Sequence, residues 1–195
     1  MKEPLLYKIV RPIILTWFYP SFRPIYINKE NIPKKGRVIL AGTHVSKLDG
    51  FLLGSSTRRS VRFIAKDELF KGIGKWFFKS CGFVPVNRRV KDKTVIPEAL
   101  KLLNNESLIG IFPEGTVNRT NDVIMPFKKG AVKMAIESKS PIIPFAIVGK
   151  YTKFKRNIKI IFGELYYPKS KEIEKETKIL EKKVKNIIKE SRENL

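Results

Sequence analysis

His44 is the only histidine in the chain, and Asp49 follows it five positions later in GTHVSKLDG, directly after the apolar run RVILAG. Histidine is the side chain whose ordinary pKa lets it exchange a proton near neutral pH. A carboxylate that accepts the Nδ1 proton fixes the tautomer and leaves Nε2 as a base. The pair is the acid-base half of a Ser-His-Asp triad whose hydroxyl the substrate would bring, and such general-base help contributes roughly 10²- to 10⁴-fold. Ser46 lies beside it, but the G-x-S-x-G elbow that would make a serine nucleophilic is absent. A structural histidine beside a helix-capping aspartate fits the same spacing.

Three further groupings carry candidate chemistry. In GIFPEGTVNRT, a strand ends at Phe112 and a turn over Pro113 to Thr116 presents Glu114. Backbone N–H groups around Gly115 could face an anion or polar headgroup there, although Pro, Glu and Gly also make ordinary turns. In CGFVPVNR a short strand delivers Arg88, with Arg89 beside it. A guanidinium at that point could clamp a phosphate in bidentate fashion, and a solvated surface pair is the plainer reading. In PIIPFAIVG, Pro141 and Pro144 bracket a buried strand, suited to a pocket wall or simply to the core.

Positioning these residues requires strand ends brought together, and the pattern supplies them. Strands are predicted at RVILAG, VRFIA, FVPV, SLIGIF, PIIPFAIV and IKIIFG, with helices over Leu48–Thr57, Glu68–Ser80, Thr94–Asn104 and Gly130–Lys139. Strands alternating with helices predict an α/β fold: a central, largely parallel or mixed sheet flanked by helices. Ligands gather at the C-terminal ends of strands in such sheets, where His44 falls. Residues 1–33 form a separate N-terminal helical segment in which Trp17, Phe18, Tyr19, Phe22 and Tyr26 interleave with Lys8, Arg11 and Arg23. That mixture suits an amphipathic, membrane-associating helix at the headgroup boundary, and equally a helix packed on the domain. Residues 34–195 then form a single catalytic domain ending in an amphipathic helix over 169–194, with Ile173, Leu180, Val184, Ile187 and Ile188 as its apolar stripe.

The bulk properties narrow the partners. At 195 residues the chain suits one domain. Its formal charge of +22 attracts polyanions: nucleic acid, an anionic membrane face or a phosphorylated substrate. A nucleic-acid-binding protein would bind polyanions with steep salt dependence, but no recognised nucleic-acid module appears, and no nucleic-acid partner is expected. The most apolar stretch, from Leu5 to Phe22, is interrupted by Lys8, Arg11 and Pro12 and is expected to lie on a membrane, not across it. One cysteine, Cys81, permits no intrachain disulfide, and a reducing, cytoplasmic setting is expected.

Taken in order, THVSKLD, GFVPVNR, FPEGT and PIIPFAI resemble the four ordered blocks of the glycerolipid acyltransferase family, whose best-known members are 1-acylglycerol-3-phosphate acyltransferases. The resemblance covers about Gly36 to Gly163. It implies His44 as the base, Asp49 as its orienting partner, Arg88 as a ligand of the acceptor phosphate, and Glu114, Gly115 and Thr116 as an acceptor-binding turn. It also implies an acyl-CoA or acyl-carrier-protein donor, a lysophospholipid acceptor, and neither cofactor nor metal; together with the charge and the single cysteine, an anionic membrane surface on the cytoplasmic face is the expected setting. Two blocks depart from the family pattern: Thr43 stands for the usual asparagine, and Val117 and Asn118 stand where arginine and serine are usual. Lys66 and Arg119 are the proposed substitutes for the missing arginine, with Arg89, Lys128 and Lys129 on neighbouring segments. Other acceptors, namely glycerol 3-phosphate, another lysophospholipid or an aminoacyl lipid, stay open on these grounds.

Overall fold

The run Val38–Gly42 is apolar at every position and buried at every position, as expected of a parallel strand covered on both faces. It is the central strand of the molecule. The computed structural model describes residues 4–87 and 94–193. In chain order the elements are α1 (Leu5–Phe22), β1 (Ile25–Ile27), β2 (Val38–Gly42), α2 (Asp49–Ser55), β3 (Val61–Lys66), α3 (Ile73–Ser80), β4 (Val84–Val86), α4 (Val95–Asn104), β5 (Leu108–Ile111), α5 (Gly130–Ser138), β6 (Ile142–Gly149), β7 (Ile158–Phe162) and α6 (Ile173–Glu193).

The strands form one mixed sheet in the order β1-β7-β6-β2-β5-β3-β4. Strands β6, β2, β5, β3 and β4 run parallel, while β7 returns antiparallel to β6 and carries β1 parallel to itself. Alternate residues of β2 point to opposite faces, as the strand period of two requires. Ile39 and Ala41 join a core with α4, α5 and α6, through Leu103, Met134, Leu180 and Val184. Val38 and Leu40 join the other core, with Phe18 and Phe22 of α1 and Leu52 and Leu53 of α2. The chain thus leaves β2 for one face, through α2, and leaves the adjacent β5 for the other, through α5. Such a divergence opens a crevice at the strands' C-terminal ends, the usual ligand position in open α/β sheets.

All six predicted strands are present, and the α/β class with flanking helices is the fold observed. Three local features differ from expectation. Strand β1 lies inside the N-terminal segment, where three residues are too few to show an alternation. The helix predicted over Glu68–Ser80 is broken into a 3-10 turn, Asp67–Phe70, and α3, because Gly72 takes φ 54°. The last helix begins at Ile173, since the Glu176 carboxylate accepts the N–H groups of Lys169 and Ser170 and holds that stretch outside the helix.

Helix α1 has apolar residues on both sides. Phe18 and Phe22 are buried against the domain, while Leu5, Ile9, Ile13 and Trp17, spaced by four, are exposed. Arg11 faces inward and donates to the carbonyls of Gly54 and Thr57, which ties α1 to the end of α2. Among the described residues no helix is long and apolar enough to cross a membrane.

Candidate active site

The loop after β2 carries His44 into the crevice, and α2 begins at Asp49, so the dyad spans the strand-to-helix turn. Asp49 is fully buried. Its Oδ2 accepts from His44 Nδ1 at 2.8 Å, from the Val45 N–H at 2.6 Å and from the Ser46 N–H at 2.8 Å. Its Oδ1 accepts from the Tyr151 hydroxyl at 2.7 Å. An ionised carboxylate is acceptor-only, so Nδ1 is the protonated nitrogen and Nε2 keeps its lone pair. The imidazole also stacks on Phe112, with ring centroids 4.2 Å apart and planes 14° from parallel. The ring is therefore fixed by one hydrogen bond and one flat contact.

Two neighbouring strands hold this loop. Thr43, at the position where asparagine is usual, is buried and its hydroxyl accepts the Ile147 N–H of β6 at 2.8 Å. From the end of β5, Glu114 accepts the His44 N–H at 2.9 Å through Oε1 and the Met125 N–H at 3.2 Å through Oε2. Burial pushes the Glu114 carboxyl above its ordinary range, and these two backbone donors oppose that shift. The Asn118 N–H closes the connection by donating to the His44 carbonyl at 2.7 Å. Gly115, at φ 78°, donates its N–H to Phe112 O, and a Cβ there would lie 2.7 Å from Lys128 Cε.

A cavity of about 630 Å³ opens beside His44. Its lining is largely apolar, with Val10 and Ile14 from α1, Phe51 from α2, and Phe63, Phe77 and Phe83 among the rest. Its polar lining includes Arg11, His44, Lys47, Lys66, Thr116 and Arg119, and Val117 lines it as well. The size and make-up match a pocket for a long apolar group with a few polar contacts. Of the residues singled out in the sequence, His44, Lys66, Thr116 and Arg119 line this cavity. Asp49 stands behind His44, and Glu114 and Gly115 shape the adjoining turn instead of lining the cavity. Lys129 pairs with Glu174 of α6, away from the cavity. Arg88 and Arg89 lie outside the described residues.

Tyr151, Phe112, Lys47 and Thr43 are the site residues without a prior functional reading. Tyr151 is 102 positions from its partner Asp49, and nothing local marks it. Phe112 and Lys47 lie within the quoted blocks, yet only the fold shows that they reach the cavity. The N–H groups of His44, Val45, Ser46 and Gly115 are each engaged within the chain, so these four are not donors for an oxyanion.

A half-buried histidine lining a largely apolar cavity, backed by a buried aspartate, on an α/β sheet with these ordered blocks, defines a class, and residues 23–148 match the family model described as Acyltransferase. The chain belongs to the acyltransferase family. It is 36% identical over 145 residues to the 1-acyl-sn-glycerol-3-phosphate acyltransferase of Bacillus subtilis, covering 70% of each chain. It is 32% identical over 149 residues to the protein of the same name in Borreliella burgdorferi, covering 75% of this chain and 59% of that one. Its fold is similar to the crystal structure of the 1-acyl-sn-glycerophosphate (LPA) acyltransferase PlsC from Thermotoga maritima. The TM-score is 0.76 at 27% identity, with 96% of this chain and 80% of that chain covered.

Proposed function

We propose that this acyltransferase moves a fatty acyl group from an acyl thioester, of coenzyme A or acyl carrier protein, to the free hydroxyl of 1-acylglycerol-3-phosphate, yielding phosphatidic acid. The observation that carries the reading is the His44–Asp49 pair beside a largely apolar cavity whose lining also holds Lys47, Lys66 and Arg119. The names of the relatives support the choice of acceptor.

In this mechanism the acyl chain occupies the apolar cavity, and Lys66, Arg119 and Lys47 attract the phosphate. Holding both reactants beside one base removes much of the entropic part of the barrier. His44 Nε2 takes the proton of the acceptor hydroxyl as its oxygen attacks the thioester carbonyl carbon. Asp49 stabilises the resulting imidazolium. The tetrahedral intermediate collapses, the C–S bond breaks, and the imidazolium returns its proton to the departing thiolate. The products are an ester and a free thiol. Thr116 contributes a polar group to the cavity lining, and Glu114 and Gly115 serve by fixing the turns that carry His44 and Phe112.

A second reading concerns the acceptor alone. Val117 lines the cavity where the family pattern has arginine, which favours an acceptor less dependent on a phosphate clamp, such as a lysophospholipid or an aminoacyl lipid. One experiment tests both readings: thioester-dependent acyl transfer by the wild type and His44→Ala over a panel of phosphorylated and unphosphorylated acceptors. Transfer to 1-acylglycerol-3-phosphate is expected, with a loss of roughly 10²- to 10⁴-fold in His44→Ala at unchanged circular dichroism. Undiminished activity in the folded variant would overturn the mechanism, and activity confined to unphosphorylated acceptors would overturn the phosphate assignment. Association is expected with an anionic membrane surface on its cytoplasmic side, where the exposed side of α1 and the basic surface would act together.

A further inference from the structure

A carboxylate that orients a histidine must itself be kept from turning, and Asp49 is held at both oxygens. Three donors converge on Oδ2: His44 Nδ1 and the N–H groups of Val45 and Ser46. All three come from the same short loop and leave Oδ1 unaddressed. The terminal torsion of aspartate is broad, so a carboxylate held at one oxygen retains freedom to turn about it. The Tyr151 hydroxyl, from the loop between β6 and β7, donates to Oδ1 at 2.7 Å. Asp49 is fully buried, so water does not compete for that position.

We propose that Tyr151 is a positioning residue for acyl transfer: by donating to Asp49 Oδ1 it holds the carboxylate plane so that Oδ2 stays on His44 Nδ1. The inference rests on His44 acting as the base. Tyr151 suits the role because it is itself immobilised. Its ring meets Phe22 edge-on, with centroids 5.5 Å apart and planes at 89°, and it packs on Phe18 at 6.5 Å. The loop that bears it is tied to α1 by the Phe154 N–H, which donates to the Ser21 carbonyl at 2.6 Å. Burial, followed by the charge of Asp49, pushes the Tyr151 phenol far above its ordinary range, so it remains the donor in this pair. The inner face of α1 therefore reaches the dyad through one ring.

Because His44 is the only histidine, its Nδ1–H proton is a single assignable signal in the NMR spectrum of the full chain. In Tyr151→Phe, which keeps the ring packing, that low-field signal is expected to weaken or move upfield. The kcat should fall about tenfold, the size of one hydrogen bond to a charged group, while KM for thioester and acceptor stays within about twofold. Tyr26→Phe removes the hydroxyl of another half-buried tyrosine, bonded to Ser55 Oγ at 2.6 Å, and should leave both readouts unchanged. A wild-type signal in folded Tyr151→Phe overturns the proposal whatever the kcat. Should that variant not fold, 3,5-difluorotyrosine at position 151 keeps the ring and the hydroxyl but makes it a stronger donor. A stationary Nδ1–H signal then overturns the proposal equally. Full activity in His44→Ala would instead sink the base assignment and leave the NMR result to judge Tyr151 alone.

Discussion

Glu114 has both carboxylate oxygens occupied by backbone donors, one from the His44 loop and one from Met125, and it is 3% exposed. A side chain that joins two loops in this way is sensitive to the loss of either acceptor. In Glu114→Gln one oxygen becomes an NH₂ group facing a backbone N–H, and leaving such a buried donor unpaired costs about 1–3 kcal/mol. Chemical denaturation is expected to show that loss, with a parallel fall in kcat because the His44 loop is released. The pH dependence has a definite sign. Burial raises this carboxyl above its ordinary 4.5, so folding takes up a proton here. The stability linked to that proton is full below 4.5 and declines as pH rises through the raised value. The variant lacks this decline, so the cost of the substitution should shrink as pH rises from 4.5. A pH-independent difference in stability would contradict the assignment.

At the scale of elements, the site depends on how closely β2 approaches β6. Gly42 is paired with Phe145 in the parallel register, and a Cβ at position 42 would stand 1.9 Å from the Phe145 carbonyl oxygen. That oxygen is backbone and the next nearest atoms belong to the fully buried Phe145 ring, so Gly42→Ala must displace the end of β2. Overpacking of this kind costs about 1–3 kcal/mol. Because Thr43 and His44 follow directly, the folded fraction should also turn over more slowly, and stability and kcat measured together check this. A variant with wild-type values in both would show that the strands tolerate wider separation. The elements themselves were largely legible, since β2, β5 and β6 are apolar runs too short for helices and bounded by turn residues. Strand β1 was not legible: Ile25–Ile27 is a strand because β7 lies beside it. The break in the helix predicted over Glu68–Ser80 reflects a single positive φ at Gly72, and a helical pattern tolerates an isolated glycine without revealing its conformation.

For the molecule as a whole, two properties coincide: a formal charge of +22 and an α1 that exposes a line of apolar residues. Leu5 is 74% exposed and Ile13 64%, whereas Phe18 on the same helix is fully buried. The buried residues make α1 part of the core, and the exposed ones are free to enter a headgroup layer. Replacing Leu5, Ile9 and Ile13 with serine is expected to weaken sedimentation with anionic vesicles at least tenfold, since burying one such side chain is worth about 1.5–3 kcal/mol. The melting temperature should hardly move, because Phe18 and Phe22 are untouched. Residual binding should weaken with added salt, as expected of attraction between exposed charges. Undiminished sedimentation would place membrane contact elsewhere on the molecule.

The sequence by itself determined the alternation of strands and helices, the two-faced burial of the central strands and the candidacy of His44 with Asp49. Each of these is written in local spacing: short apolar runs for strands, the helical repeat of apolar residues for helices, five positions between base and carboxylate. The tertiary structure alone decided what surrounds that pair. Glu114 faces the backbone of the His44 loop because β2 and β5 are parallel neighbours whose C-terminal ends lie together. Tyr151 reaches Asp49 because β6 lies on the other side of β2 and its following loop folds back onto α1. Hydrogen bonds between residues 70 and 102 positions apart leave no periodic trace in the chain. They exist because sheet order, not sequence order, sets which loops meet.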